Sequence, residues 1–151
     1  IRVSSSITGS GTYLPLKFYT SGAEKFQLDT SGNFLSTGGG GIGYGTGSGG
    51  TVTQATSKST AVTLNKPSGQ ITMNNAALAA NTAVQFVLGN TTIGAYDTLA
   101  LNGVTGGAFT NYLWNVQIQP AAAYITIRNM SAGSLSDALV FNFQVIKGSI
   151  N

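Results

Sequence analysis

Four carboxylates, Glu24, Asp29, Asp97 and Asp137, are the only acids in this chain of 151 residues, and it contains neither His nor Cys. Ser/His/Asp triads, cysteine nucleophiles, thiolate or imidazole metal sites and disulfide scaffolds are thereby excluded. Glycoside hydrolysis can run on two acids alone, so a carboxylate pair is the remaining catalytic option. Glu24 and Asp29 are five apart in one extended segment and fall on its opposite faces. Asp97 and Asp137 stand near strand starts and meet only through folding. A small glycan-cleaving enzyme rests on that pairing alone, and each acid reads more simply as a solvated or turn carboxylate. The expectation is a protein without catalytic residues, cofactor or metal.

Other motifs are weaker still. Gly45, Gly47 and Gly50 match the spacing of a dinucleotide fingerprint, but that motif needs a strand before it and a helix after it. Here it lies in a low-complexity glycine tract followed by the strand-favouring Thr51-Val52-Thr53-Gln54-Ala55. The formal charge of +3 comes from seven scattered Lys and Arg, too sparse to neutralise a row of phosphates, so no nucleic-acid partner is expected. Sugar binding needs little charge, because aromatic faces stack on rings while amides and hydroxyls bond to the sugar hydroxyls. The candidate glycan contacts are Tyr96 with Asp97, and Phe109 with Asn111 beside Gly106-Gly107. For both aromatics, packing or subunit contact is the plainer reading. Trp114 shares a face with Val116 and Ile118 and belongs to a core.

The elements that would position these groups are strands. With 42% apolar residues the chain is too hydrophobic to be disordered, yet only 7% of it is charged where about 25% is usual. Ser, Thr, Asn and Gln supply 53 residues instead. Alternation is clear at Val84, Phe86 and Leu88, at Tyr112, Trp114, Val116 and Ile118, at Ile125 and Ile127, and at Leu139, Phe141, Phe143 and Val145. Turn signals separate these runs, among them Lys66-Pro67-Ser68-Gly69, Asn102-Gly103, Gly106-Gly107 and Gln119-Pro120. One short segment, Asn74 to Ala80, suits a single helical turn. The fold class expected is all-β: an antiparallel β-sandwich or jelly roll over 51–151, preceded by a β-hairpin attachment or shaft segment over 1–35 and a Gly-rich linker over 36–50. Ile1 to Ser6 lacks the pattern of a signal peptide, and no apolar run reaches the ~18 residues that span a bilayer. Membrane insertion is therefore not expected.

The stretch Ala23-Glu24-Lys25-Phe26-Gln27-Leu28-Asp29-Thr30-Ser31-Gly32-Asn33-Phe34-Leu35 resembles a hairpin common in tailed-bacteriophage fibre and spike proteins. Gly43 to Thr60, Val62 to Lys66, Gly69 to Met73 and Arg128 to Ser136, with Phe141 to Lys147, are similar to a C-terminal module of phage virion proteins. Together these stretches cover most of residues 23–147. The hairpin is moderately specific for fibres; the module is specific for virion proteins, but not for one place on the particle. The resemblance implies a homotrimer on the virion, folded in the host cytoplasm and touching other virion proteins, with no catalytic residues to transfer. A tail fibre or spike meeting a bacterial surface glycan is the leading expectation. A capsid-decorating protein or head fibre, anchored by its first 35 residues, is the alternative.

Overall fold

The computed structural model describes Gly11 and residues 14–150; the Ile1–Ser6 stretch read for a leader lies outside the described residues. The chain forms two compact units, Ile1–Gly43 and Tyr44–Asn151.

In the first unit, β1 (Leu16–Thr20), β2 (Ala23–Leu28) and β3 (Phe34–Ser36) form an antiparallel meander in the order β1-β2-β3. The expected hairpin is thus extended by a third strand. Ser21 and Gly22 both have positive φ, the geometry of a two-residue hairpin turn that follows strand twist. The second turn is organised by Asp29. Its carboxylate accepts the backbone N–H of Ser31 (2.9 Å) and Asn33 (2.8 Å) and the Asn33 amide (2.9 Å). These bonds hold the Asp29 carboxyl below its ordinary range, the Asn33 side chain contributing most. The Asp-x-Ser-Gly-Asn motif is therefore a turn device.

The second unit is a sandwich of two four-stranded sheets. One has the order β4-β6-β11-β8, from β4 (Thr51–Thr53), β6 (Ser68–Thr72), β11 (Val140–Ile146) and β8 (Thr98–Thr105). The other has the order β5-β7-β10-β9, from β5 (Val62–Thr63), β7 (Ala83–Gly89), β10 (Ala122–Asn129) and β9 (Tyr112–Gln119). The central pairings are antiparallel, while the short edge strands β4 and β5 pair parallel with β6 and β7. Only β9 and β10 are a sequential hairpin; elsewhere the chain passes from one sheet to the other between strands. Ile71, Phe141, Phe143, Val145 and Leu99 from one sheet face Phe86, Leu88, Ile125 and Ile127 from the other, all buried. Each such side chain stabilises by about 1.5–3 kcal/mol relative to exposure, so this layer dominates the energetics.

Two local expectations change. Asn74 to Ala80 is not helical: Leu78 instead exchanges backbone hydrogen bonds with Leu135 (2.8 and 3.0 Å) and is buried. A lone turn carries the full cost of helix nucleation, and the Asn74 N–H is already taken by Gln54 Oε1 (3.0 Å). Asn102-Gly103 is not a turn but lies within β8, where the missing side chain of Gly103 makes room for the Phe109 ring. The glycine tract is shared between the units: Thr37 N–H donates to Lys25 O (3.0 Å), whereas Gly50 O accepts from Gln70 N–H (2.9 Å).

Buried polarity is paired rather than avoided. The fully buried Asn129 amide donates to Leu78 O (3.0 Å), Ala79 O (3.1 Å) and Gly133 O (2.8 Å), and its oxygen accepts from Ser131 N–H (2.9 Å). An Asn129→Asp variant keeps the shape but loses the donors, and should cost about 3 kcal/mol or more in urea unfolding. Ala121 closes the β9–β10 hairpin at φ 61°, a region that L side chains disfavour. Ala121→Gly should therefore stabilise by about 0.5–1 kcal/mol, seen as a rise in Tm.

Candidate functional site

The residues singled out for chemistry separate to the two ends of β8. Asp97 precedes the strand and is buried. Its carboxylate accepts from Gly94 N–H (2.7 Å), Gly148 N–H (3.0 Å) and Lys147 Nζ (2.5 Å), and Lys147 also donates to Thr92 O (2.8 Å). Asp97 thus ties the loop after β7 to the chain leaving β11. The Lys147 ammonium foremost, then the two backbone N–H groups, hold its carboxyl at about 2. Tyr96 beside it is exposed.

Phe109 and Asn111 form one turn of 3-10 helix past the other end of β8. Phe109 is half-buried and meets Trp114 (5.8 Å, 76°) and Phe141 (5.6 Å, 77°) edge to face, while Trp114 meets Phe141 likewise (5.5 Å, 69°). Such geometry is favourable between ring quadrupoles, and it commits Phe109 to packing. Asn111 engages through its backbone, accepting from Met130 N–H (2.8 Å).

Asp137 lies at this same end, where its carboxylate accepts from the Tyr112 hydroxyl (2.8 Å). Eight residues of β8 at ~3.3 Å each set Asp97 and Asp137 roughly 25 Å apart within the chain. The two carboxyls of a glycosidase stand within about 10 Å of each other; these two do not meet within one chain. Burial and the Asp137 carboxylate push the Tyr112 phenol well up. Lys58, which looked like one scattered cation, is buried, and its ammonium donates to Asn74 O (2.7 Å) and to Asp137 O. Burial lowers its pKa, with the Asp137 carboxylate opposing. Among the described residues no group of three or more acidic or imidazole side chains is placed to hold a metal.

A concavity among the described residues lies elsewhere, on the outer face of the β4-β6-β11-β8 sheet. It is an open groove of about 570 Å³ whose polar lining is Ser68, Gln70, Asn102, Asn142 and Gln144, with Ala100, Leu101, Phe143 and three glycines, Gly49, Gly50 and Gly69, between them. Register explains the lining. Gln70, Asn142 and Asn102 are cross-strand partners in one row, and Ser68, Gln144 and Ala100 in the next along the strands. Gln70 Nε2 donates to Asn142 Oδ1 (3.0 Å). The sequence shows Gln70, Asn142 and Gln144 as the polar members of alternating strands, but hides that β6, β11 and β8 are neighbours. The signal available was that these outward positions carry amides where charges would be usual.

Asp97 makes stability acid-sensitive with a defined sign. Its folded value near 2 lies below the ordinary 3.8, so its contribution is complete above about pH 4 and is lost as pH falls toward 2. Urea midpoints measured across that window should fall in the wild type and flatten in Asp97→Asn. Phe109→Ala should cost about 2–3 kcal/mol, the loss of a packed ring, measured the same way at neutral pH.

Comparison with known protein families, curated proteins and solved structures returned no match.

Proposed function

We propose that the chain is a phage virion component of the tail-fibre or spike type, assembling as a homotrimer and presenting its sandwich to the host cell surface. The observation that carries this reading is the first sheet. Its register places Leu16, Phe18, Phe26, Leu28 and Phe34 on one face. Phe34 stacks on Phe26 (5.2 Å, 9°) and meets Phe18 edge-on (6.2 Å, 68°), yet Phe18 and Phe34 remain 46% and 51% exposed. Lys17 and Glu24, paired at 2.7 Å, supply charge on the other side. Covering this exposed apolar face removes aromatic surface from water and stabilises the sheet, and three copies packed face to face would supply that cover. The motif that builds the sheet, Phe26 to Phe34 around the Asp29 turn, is also the part that resembles phage fibres.

A trimer also suits weak recognition. Three equivalent sites on one assembly gain avidity without any single strong contact. A surface of amides and hydroxyls changes little with salt or pH, because few charges exist to be screened or titrated. That fits an exposed part of a particle released into variable surroundings.

Light scattering of the full chain at micromolar concentration should give three times the monomer mass. Phe18→Ser combined with Phe34→Ser should shift it to monomer while the sandwich keeps its near-ultraviolet signature. A monomeric wild type would sink the proposal. Labelled protein should coat host cells; coating of emptied capsids instead would transfer the reading to capsid decoration.

A further inference from the structure

We propose that the groove on the outer face of the β4-β6-β11-β8 sheet binds an uncharged oligosaccharide. The inference rests on the surface-contact reading above and names the ligand class and the residues that would meet it. None of the side chains lining the groove is ionisable. An anionic sugar, a phosphate or a nucleic acid would be desolvated there without a counter-charge, which is costly. An apolar ligand would strip water from five polar side chains and leave them unpaired. A neutral polyol does neither.

The lining suits hydroxyls in number and in kind. Each carboxamide offers two donors and an acceptor, so Gln70, Asn102, Asn142 and Gln144 can answer groups that themselves both donate and accept. Asn102, Asn142 and Gln144 are exposed, and the bond between Gln70 and Asn142 leaves a donor on Gln70 and both donors on Asn142 unspent. Neighbouring strands lie about 4.8 Å apart, and outward residues on one strand about 6.7 Å apart. The two rows therefore form a lattice on the scale of a sugar ring, with Asn142 and Gln144 along the middle strand and amides or hydroxyls on both sides. The volume of about 570 Å³ lies within the range of small-molecule sites. The sheet beneath is held by buried Phe143, Phe141 and Ile71, so the lattice is pre-formed on a rigid element.

The test is titration of the full chain with linear neutral oligosaccharides of glucose, galactose, mannose and N-acetylglucosamine, with polysialic acid as the charged control, read by calorimetry and saturation-transfer NMR. At least one neutral chain should bind, at roughly millimolar Kd, unchanged between low and high salt. Asn102→Ala with Asn142→Ala should weaken it about tenfold, the loss of two hydrogen-bonding groups, at an unchanged Tm. The inference is overturned if no neutral chain binds, if polysialic acid alone binds, or if the double variant binds as well as the wild type. The trimer reading fails separately: a monomeric wild type with intact oligosaccharide binding would remove the fibre and keep the groove. Wild-type adhesion to host cells that survives in the double variant would remove the groove and keep the fibre.

Discussion

Phe141 is the residue on which the sandwich depends. It is fully buried on β11, an interior strand of its sheet, and meets both Trp114 from the opposing sheet and Phe109 from the turn that carries the chain between them. Packing between inner faces is what turns two sheets into one body, and this aromatic cluster closes one end of it. The 3-10 turn, the glycine inside β8 and the start of β9 all follow from making room for these three rings. Both ends of β8 are then sealed by polar devices, Tyr112 on Asp137 at one end and Lys147 on Asp97 at the other. The two acids weighed for catalysis, Asp97 and Asp137, are thus each hydrogen-bonded within the fold, while Tyr96 stays exposed.

Polarity without charge is handled the same way throughout. Asn90 and Asn129 are buried, and each accepts from the residue two places on, Thr92 (2.9 Å) and Ser131 (2.9 Å), while donating to backbone carbonyls. Asn90-Thr91-Thr92 and Asn129-Met130-Ser131 are thus loop anchors with buried amides. Gln54 repeats the logic, bridging Lys58 O (3.0 Å), Thr60 O (2.9 Å) and Asn74 N–H. A buried amide that satisfies carbonyl and N–H groups together has no titratable form, so these anchors hold across pH. The anchors whose ionisation the fold shifts, among them Asp29, Asp97, Lys58 and Tyr112, are the points where pH enters.

Much of the fold was legible because strand periodicity is local. Alternation at Val84 to Leu88, Tyr112 to Gln119 and Val140 to Ile146 identified the inward residues, and the all-β sandwich followed from their number and spacing. Reading failed where a residue's role is set by something distant. Gly103 looks like a turn glycine until the Phe109 ring is placed against it. Lys58 looks solvated until Asn74 and Asp137 close over it. Asn74 to Ala80 looks helical until Leu78 finds Leu135, 57 residues further on.

The chain by itself determined that it would be β-rich, nearly uncharged, without thiol or imidazole chemistry, and divided by a glycine tract. These are properties of composition and of period-2 patterning, which act within a few residues. Which strands are neighbours was decided only by the tertiary structure, because all but one of the sandwich strands pair with partners from elsewhere in the chain. That choice set Asp97 and Asp137 at opposite ends and Gln70, Asn102 and Asn142 in one row. Cross-strand adjacency depends on burying both inner faces at once, a global condition that no short stretch of sequence encodes.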